Sequence, residues 1–426
     1  MSQADLIVHN AGQLVTCASS GRPKRLAAMR EVGIIKNGAV AVRGGGFVGV
    51  GRSDDILRDF DSDNAIDAER RVICPGFVDP HTHIVFAGNR LDDFELKIKG
   101  ADYLEILEKG GGIISTVRQT RDASFDELVG PARKRLNKML ESGTTTCEIK
   151  TGYGLDTETE LKMLRVVEEL DKTHPIDILP TFLAHTVPPE YKNDPDEYVA
   201  LVCREMLARA WKWYADSDFR EKGRSFFADV FCEKNAFDVA QTERILGAAA
   251  SLGFRLKIHA DQFTNLGGSA LGITMGAVSI DHLDTISGDE IALLSSTATV
   301  GIVIPTENFN AGKTHFANAR AMIDAGCAIA LSTDYNPGSA PCPSQQMAMA
   351  IACRYQKLLP SEALNAATIN AAFGIGLGET HGSIEAGKQA DLLILETSDY
   401  RDAAYEFGGN CVGKVVKGGQ LVYDAG

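Results

Sequence analysis

His81 and His83 close an apolar run within "CPGFVDPHTHIVFAG", residues 74–88. Residues i and i+2 of a strand face the same side, so two imidazoles at a strand end can converge on one ion. Comparable apolar runs end in His259 ("RLKIHADQ"), His282 ("AVSIDHL") and Asp334 ("AIALSTDYN"). A single histidine is more often a structural hydrogen-bonder than a ligand. Here four of the nine histidines fall at strand ends, with an aspartate at the end of the last. Neutral imidazole with carboxylate suits zinc or iron. An ion held this way lowers the pKa of water enough to give hydroxide at neutral pH, which is hydrolytic chemistry.

The elements that must position these residues follow from the patterning. Eight strand-like runs are legible: "ICPGFVDPHTH", "TTTCEIK", "DILPTFLAH", "FADVFCE", "RLKIHADQ", "AVSIDHL", "TVGIVIP" and "AIALSTDYN". They alternate with helical stretches such as "FDELVGPARKRLNKMLESG" and "TETELKMLRVVEELDKT". Apolar strands alternating with helices form parallel sheets, and eight units predict a (β/α)8 barrel with its chemistry at the C-terminal strand ends. Both chain ends are short β-branched runs broken by Gly and Asn, which predicts a small β-sandwich beside the barrel. The expected division is 1–73 and 383–426 for the sandwich and 74–382 for the barrel. "RAWKWYADSDFREKGRS", before the fourth strand, reads as an irregular polar insertion. "GGGFVG" and "GGNCVGKV" imitate phosphate-binding loops. The first has no following helix and the second has Val415 in place of the metal-binding hydroxyl, so both read as turns and a nucleotide-binding function has little support.

The net charge of −14 disfavours nucleic acid and anionic membranes as partners. An anionic ligand must therefore be met by a placed Arg or Lys. Nine scattered cysteines without a CxxC suit a reducing compartment. "MSQADLIVHN" lacks a basic n-region and apolar core, and no run is long enough to span a bilayer, so a cytoplasmic protein is expected.

At "PGFVDPHTH" and "GSIEAGKQADLLIL" the chain resembles the amidohydrolase superfamily, metal-dependent hydrolases on a (β/α)8 barrel with a small β-sandwich. Within it, "HTHIVFAGNR", "GGGI", "EIKTGYGL", "LAHTVPPEY", "VFCEKNAF", "HADQ", "SIDHL" and "STDYNPGS" closely resemble the imidazolonepropionase family over essentially the full length. That resemblance implies hydrolysis of 4-imidazolone-5-propanoate to N-formimidoyl-L-glutamate in histidine degradation. It implies that His81, His83, His259 and Asp334 hold one Zn2+ or Fe3+ per chain, and that the protein forms a homodimer. It places Arg90, Tyr153, His185, Gln262, Asn336, Gly338 and Ser339 around the substrate. Arg90 would supply a planar fork for the propionate. His185 would contact the ring or the oxyanion, and His282 or Asp334 would shuttle the proton.

Two departures from the family pattern matter. Gln262 stands where some members have Glu, and an amide cannot be a general base. "IPTENFN" lacks an expected Pro-Gly-Ala run, which puts substrate contacts there in question. Lys150 gives no sign of a carboxylated bridge between two metals. Two other readings are kept: a related deaminase of a cyclic amidine, and a catalytically silent barrel scaffold that would bind no stoichiometric metal.

Overall fold

The eight apolar runs become eight parallel strands in a computed structural model that describes residues 1–100 and 111–426. Gly110, the first residue of "GGGI", lies outside the described residues. The strands are β1 (Phe77–Asp79), β2 (Thr144–Lys150), β3 (Asp177–Ala184), β4 (Phe227–Cys232), β5 (Arg255–Ala260), β6 (Ser279–His282), β7 (Val300–Val303) and β8 (Ala328–Leu331). Each pairs in parallel with the next. Just past the strand ends, Thr82 bridges to Tyr335, and Asp79 accepts the hydroxyls of Ser332 and Thr333. These contacts bring β8 back to β1 and close the barrel.

Helices cover the outside because their apolar faces need burial. Phe125–Glu141 starts at a Ser124–Glu127 capping box and buries Leu128, Leu136 and Met139. Thr157–Thr173, capped by Asp156, buries Leu164, Val167 and Leu170 beside β3. Each such side chain contributes about 1.5–3 kcal/mol on full burial. At the other end of Val239–Leu252, Gly253 stops the helix with a φ of 107°, a left-handed geometry that glycine adopts without strain.

The first run and the insertion differ from expectation. "ICPGFVDPHTH" is two elements, because Val72–Pro75 pairs with the flanking sheet and only Phe77–Asp79 enters the barrel. The switch is at Gly76, where a Cβ would lie 2.2 Å from Thr145 Oγ1. His81 and His83 therefore lie beyond the strand, in a segment held by the bridge to Tyr335 and the 2.9 Å His83 N–H to Tyr335 carbonyl bond. "RAWKWYADSDFREKGRS" is helical over Leu207–Ala215 and Asp218–Glu221 rather than irregular. Trp211 packs on Phe254, Trp213 on Phe219 and Tyr214 on Phe226, so the aromatics outweigh the polar letters between them.

Both chain ends contribute to the flanking sheet. Its order is Gln420–Asp424, Val412–Lys417, Leu392–Leu395, Val72–Pro75, Leu6–Val15, Ile34–Arg43 and Gly46–Arg52, with Ala65–Asp67 beside Leu6–Val15. Leu6, Leu14, Val42, Phe47, Leu392 and Val416 meet in one buried core, which unites the two ends of the chain. "GGGFVG" begins in the Gly44–Gly45 hairpin turn, as its spacing predicts.

Asp177, at the start of β3, ties this sheet to the barrel. It accepts from His381 Nε2 (3.2 Å), Gln389 Nε2 (2.6 Å), Lys417 and Arg224. Burial works against its charge, but His381, Lys417 and Arg224 outweigh it and hold the carboxyl well below the usual range. The unfolded carboxyl titrates near about 3.9, so this stabilisation is complete above that pH and is lost as pH falls below it. Asp177→Asn is expected to cost about 2–3 kcal/mol at pH 7. The gap to the parent should narrow below about pH 4. Urea unfolding at the two pH values checks both.

Candidate active site

The C-terminal ends of the barrel strands surround a cavity of about 470 Å3. His83, His259, His282 and Asp334 line its floor, and His81 is fully buried beneath them. The Nε2 atoms of His81 and His83 are 3.1 Å apart. Asp334 Oδ1 lies 3.5 Å from the first and 3.3 Å from the second. A ligand atom of His259 completes a cluster with His81 and His83 within 4.8 Å. Metal–nitrogen and metal–oxygen bonds of about 2.0–2.2 Å put neighbouring ligand atoms about 3 Å apart, so these spacings suit one ion.

The chemistry of the donors agrees. Burial pushes His83 down to about 3 and takes His81 and His259 well below their usual values, which leaves the imidazoles neutral, as ligation requires. His81 Nδ1 donates to Asp281 Oδ2 at 2.6 Å, which fixes the tautomer and leaves its Nε2 lone pair facing the cluster. Asp229 Oδ2 is 2.9 Å from His259 Nδ1. Burial pushes the Asp334 carboxyl up to about 8. Among the described residues only His81 and His83 face it as possible charge partners, with no Lys or Arg within ion-pair distance. A buried carboxylate with this little compensation fits a cation ligand.

Beneath the cluster lies a group of charges that the sequence reading did not assemble. Glu148, Lys150, Asp229, Lys257 and Asp281 are all fully buried. Lys150 Nζ is 2.6 Å from Asp229, 2.9 Å from Glu148 and 3.4 Å from Asp281. Lys257 Nζ is 2.8 Å from Glu148 and 2.7 Å from the Pro80 carbonyl. Burial opposes the charge on Lys150, but Asp229, Glu148 and Asp281 outweigh it and raise its pKa. A protonated ammonium cannot add to carbon dioxide, consistent with Lys150 bearing no carboxylate bridge. The signal in the sequence was charge inside apolar runs: "TTTCEIK", "FADVFCE", "RLKIHADQ" and "SIDHL" each carry it.

Several residues at these strand ends hold uncommon backbone conformations. Asp261, His282, Leu283 and Asp334 have φ of 58°, 86°, 67° and 50°. Each such residue costs about 1–3 kcal/mol unless its surroundings hold it, and such costs concentrate at functional sites. His282 is buried against His81 and His259, at ring distances of 5.4 and 5.2 Å, and its Nδ1 has no hydrogen-bond partner among the described residues.

The cavity walls contain the remaining expected residues. Arg90 bonds Asp93 through Nε and Thr116 through a terminal nitrogen at 3.3 Å, which sets the orientation of its guanidinium. Gly338 lets it pass, since a Cβ there would be 3.3 Å from the guanidinium carbon. Tyr153 packs 6.0 Å from His83 and 5.5 Å from His185. His185 is hydrogen-bonded through Nδ1 to the Gly152 carbonyl at 3.2 Å, and burial pushes it down to about 3. As a neutral ring it offers Nε2 as an acceptor; donation from Nε2 would require protonation. Gln262 lines the cavity with Phe263 beside it. Asn336 spends its amide within the loop, donating to the Asp334 carbonyl (2.7 Å) and Ser339 Oγ (2.8 Å) and accepting from the N–H groups of Gly338 and Ser339. It shapes the wall that carries Ser339.

Lys97, Phe231 and Glu233 also line the cavity and were missed. Lys97 Nζ is 3.3 Å from the Gly338 carbonyl, beside Arg90. None of the residues of "IPTENFN" lines the cavity; the segment forms helix Pro305–Asn310.

Comparison with known proteins bears on this site. A model of the amidohydrolase family matches residues 72–422. The chain is 51% identical over 423 residues to an imidazolonepropionase of Chloroflexus aggregans, covering 99% of both chains. It is 47% identical over 423 residues to an imidazolonepropionase of Herpetosiphon aurantiacus, covering 99% of this chain and 98% of that one. Among solved structures it is similar to a zinc-bound adenosine deaminase of Xanthomonas campestris, with a TM-score of 0.72 at 20% identity over 99% of this chain and 93% of that one. It is also similar to Escherichia coli guanine deaminase, with a TM-score of 0.72 at 16% identity over 99% of both.

Proposed function

The chain belongs to the amidohydrolase family, and from that membership we propose that it is the hydrolase that opens the ring of 4-imidazolone-5-propanoate, giving N-formimidoyl-L-glutamate in histidine degradation. The observation that carries this reading is the joining of a His81–His83–His259–Asp334 donor set and the Arg90 guanidinium in one cavity. The deaminases similar in structure share the fold at 16–20% identity. The full-length relatives at 47–51% identity favour ring opening over ammonia release.

His81, His83, His259 and Asp334 would hold one zinc or iron ion per chain. When bound, such an ion acidifies water and polarises a carbonyl oxygen. Arg90, oriented by Asp93 and Thr116, receives the propionate, with Lys97 adding positive charge beside it. His185, held by its Nδ1 bond to the Gly152 carbonyl, packs beside the ring, and Tyr153 closes the wall behind it. Gln262 faces the same cavity and takes no proton. His282 orients the attacking water through its unpartnered nitrogen. Asp334 accepts the water's proton and returns it to the ring nitrogen as the C–N bond breaks. Water is added across one bond and nothing else leaves.

All nine cysteines are free, and no helix among the described residues is long and apolar enough to cross a membrane. The free thiols support a reducing cytoplasm as the place of action.

Arg90→Met is expected to lower kcat/KM by about 10²–10³-fold, chiefly through KM, because the propionate loses its fork. Arg90→Lys should recover only part of the loss, since an ammonium keeps the charge without the planar geometry. Steady-state kinetics on freshly generated substrate measures both. The reading itself is tested by identifying the product. N-formimidoyl-L-glutamate without ammonia supports it; stoichiometric ammonia would move the chain to the deaminases.

A further inference from the structure

Only two acids line the cavity among the described residues: Asp334, in the metal set, and Glu233, from "VFCEKNAF". Glu233 follows β4 directly and is 3% exposed, in a wall that among the described residues carries no cation for it. Its Oε2 accepts the N–H groups of Phe263 and Thr264, both at 3.0 Å, and its Oε1 accepts the Lys234 N–H at 2.8 Å. Among the described residues it has no Lys, Arg or His within ion-pair distance. An ionised carboxylate has about four acceptor sites, so three backbone bonds leave about one available.

Arg90 and Lys97 stand on the other wall. They follow β1, which is separated from β4 by β2 and β3. The cavity is thus polarised, with two cations on the β1 and β8 side, the donor set in the floor, and a buried carboxylate on the β4 side. A ligand complementary to that field has an anion at one end and an N–H donor or cation at the other. The imidazolone substrate has this form. From the carbonyl carbon over the floor, one ring neighbour carries the propionate. The other leads into the N–C–N edge of the ring.

We propose that Glu233 is a specificity residue whose carboxylate receives the N–C–N edge of the ring and the formamidine group that this edge becomes. The inference rests on the imidazolone reading above. Ring opening cleaves the bond between the carbonyl carbon and one nitrogen of this edge, and that nitrogen gains the proton supplied by water. The resulting formamidine is a strong base and takes up a further proton from solvent as an amidinium. Glu233 therefore meets a donor in the substrate and a cation in the product, so its interaction strengthens along the reaction. By holding the N–H groups of Phe263 and Thr264 it also fixes the loop that carries Gln262.

The test compares the binding of two acids of similar shape, read as competition against the imidazolone. 3-(Imidazol-4-yl)propanoate has a ring N–H, and 3-(cyclopent-1-enyl)propanoate has none. Glu233→Gln keeps an acceptor oxygen for the loop while removing the charge. It is expected to weaken the imidazolyl acid about 10- to 100-fold and the carbocyclic acid by no more than about 2-fold. Equal weakening of both, or of neither, would overturn the proposal. A second measurement needs no variant. In the parent protein, the ring N–H of bound 15N-labelled imidazolyl acid should resonate far downfield, as expected of a hydrogen bond to carboxylate; a shift equal to that in water would overturn it. A parent protein that binds neither acid and turns over no imidazolone would remove the functional reading, and the proposal with it. Normal turnover with unchanged inhibitor discrimination in Glu233→Gln would remove the proposal alone.

Discussion

Asp334→Asn is expected to lower kcat by about 10³–10⁴-fold, because in the proposed mechanism one substitution removes both an anionic metal ligand and the proton carrier. KM should change by only a few fold, because Arg90 and Tyr153 remain in place. Asn is nearly isosteric, so the loop held by Asn336 has no steric reason to move. Stability should respond differently. Asp334 is 3% exposed and among the described residues faces only His81 and His83 as possible charge partners, so in metal-stripped protein it contributes little or opposes folding. Metal-stripped Asp334→Asn should therefore unfold at the same denaturant concentration as the stripped parent, or at a higher one. Kinetics and unfolding of the same two preparations separate this account from a purely structural role, which would lower stability and activity together.

Lys150→Met should be the most destabilising change in the barrel interior, at about 3–5 kcal/mol. The ammonium is shared by Asp229, Glu148 and Asp281, each fully buried, and among the described residues its loss leaves Lys257 as the one cation paired with them. Three carboxylates around one ammonium cannot all stay ionised without solvent. The rearrangement would disturb the Asp281 bond to His81 and move the Asp229 carboxylate beside His259. Loss of such supporting contacts weakens metal binding by about 10–100-fold. Denaturant midpoints and competition with a chromogenic chelator read the two effects. Unchanged midpoint and affinity would show that the network is not coupled to the metal set.

The convergence of His81, His83, His259 and Asp334 was legible because these are polar residues that end apolar runs, and a (β/α)8 barrel brings strand ends to one face whatever their separation in sequence. Helices Phe125–Glu141 and Thr157–Thr173 were legible from local periodicity and caps alone. What escaped depended on long-range packing. The split of "ICPGFVDPHTH" at Gly76 arises from close approach of Thr145, some seventy positions away. The helices at 207–221 exist because Trp211 and Tyr214 find Phe254 and Phe226. Glu148 and Lys150 share one strand, and only the closed barrel brings Asp229 and Asp281 to them. Glu233 was quoted within a motif and still missed, since its place opposite Arg90 is a property of the strand order.

The most direct test of the central claim measures metal content and turnover of 4-imidazolone-5-propanoate on the same preparations, as purified, after chelation, and after stepwise return of zinc or iron. The account predicts one ion per chain at saturation, activity proportional to occupancy, and loss of both in His83→Ala. Full turnover by thoroughly stripped protein, or stoichiometric metal in His83→Ala with turnover intact, would contradict it.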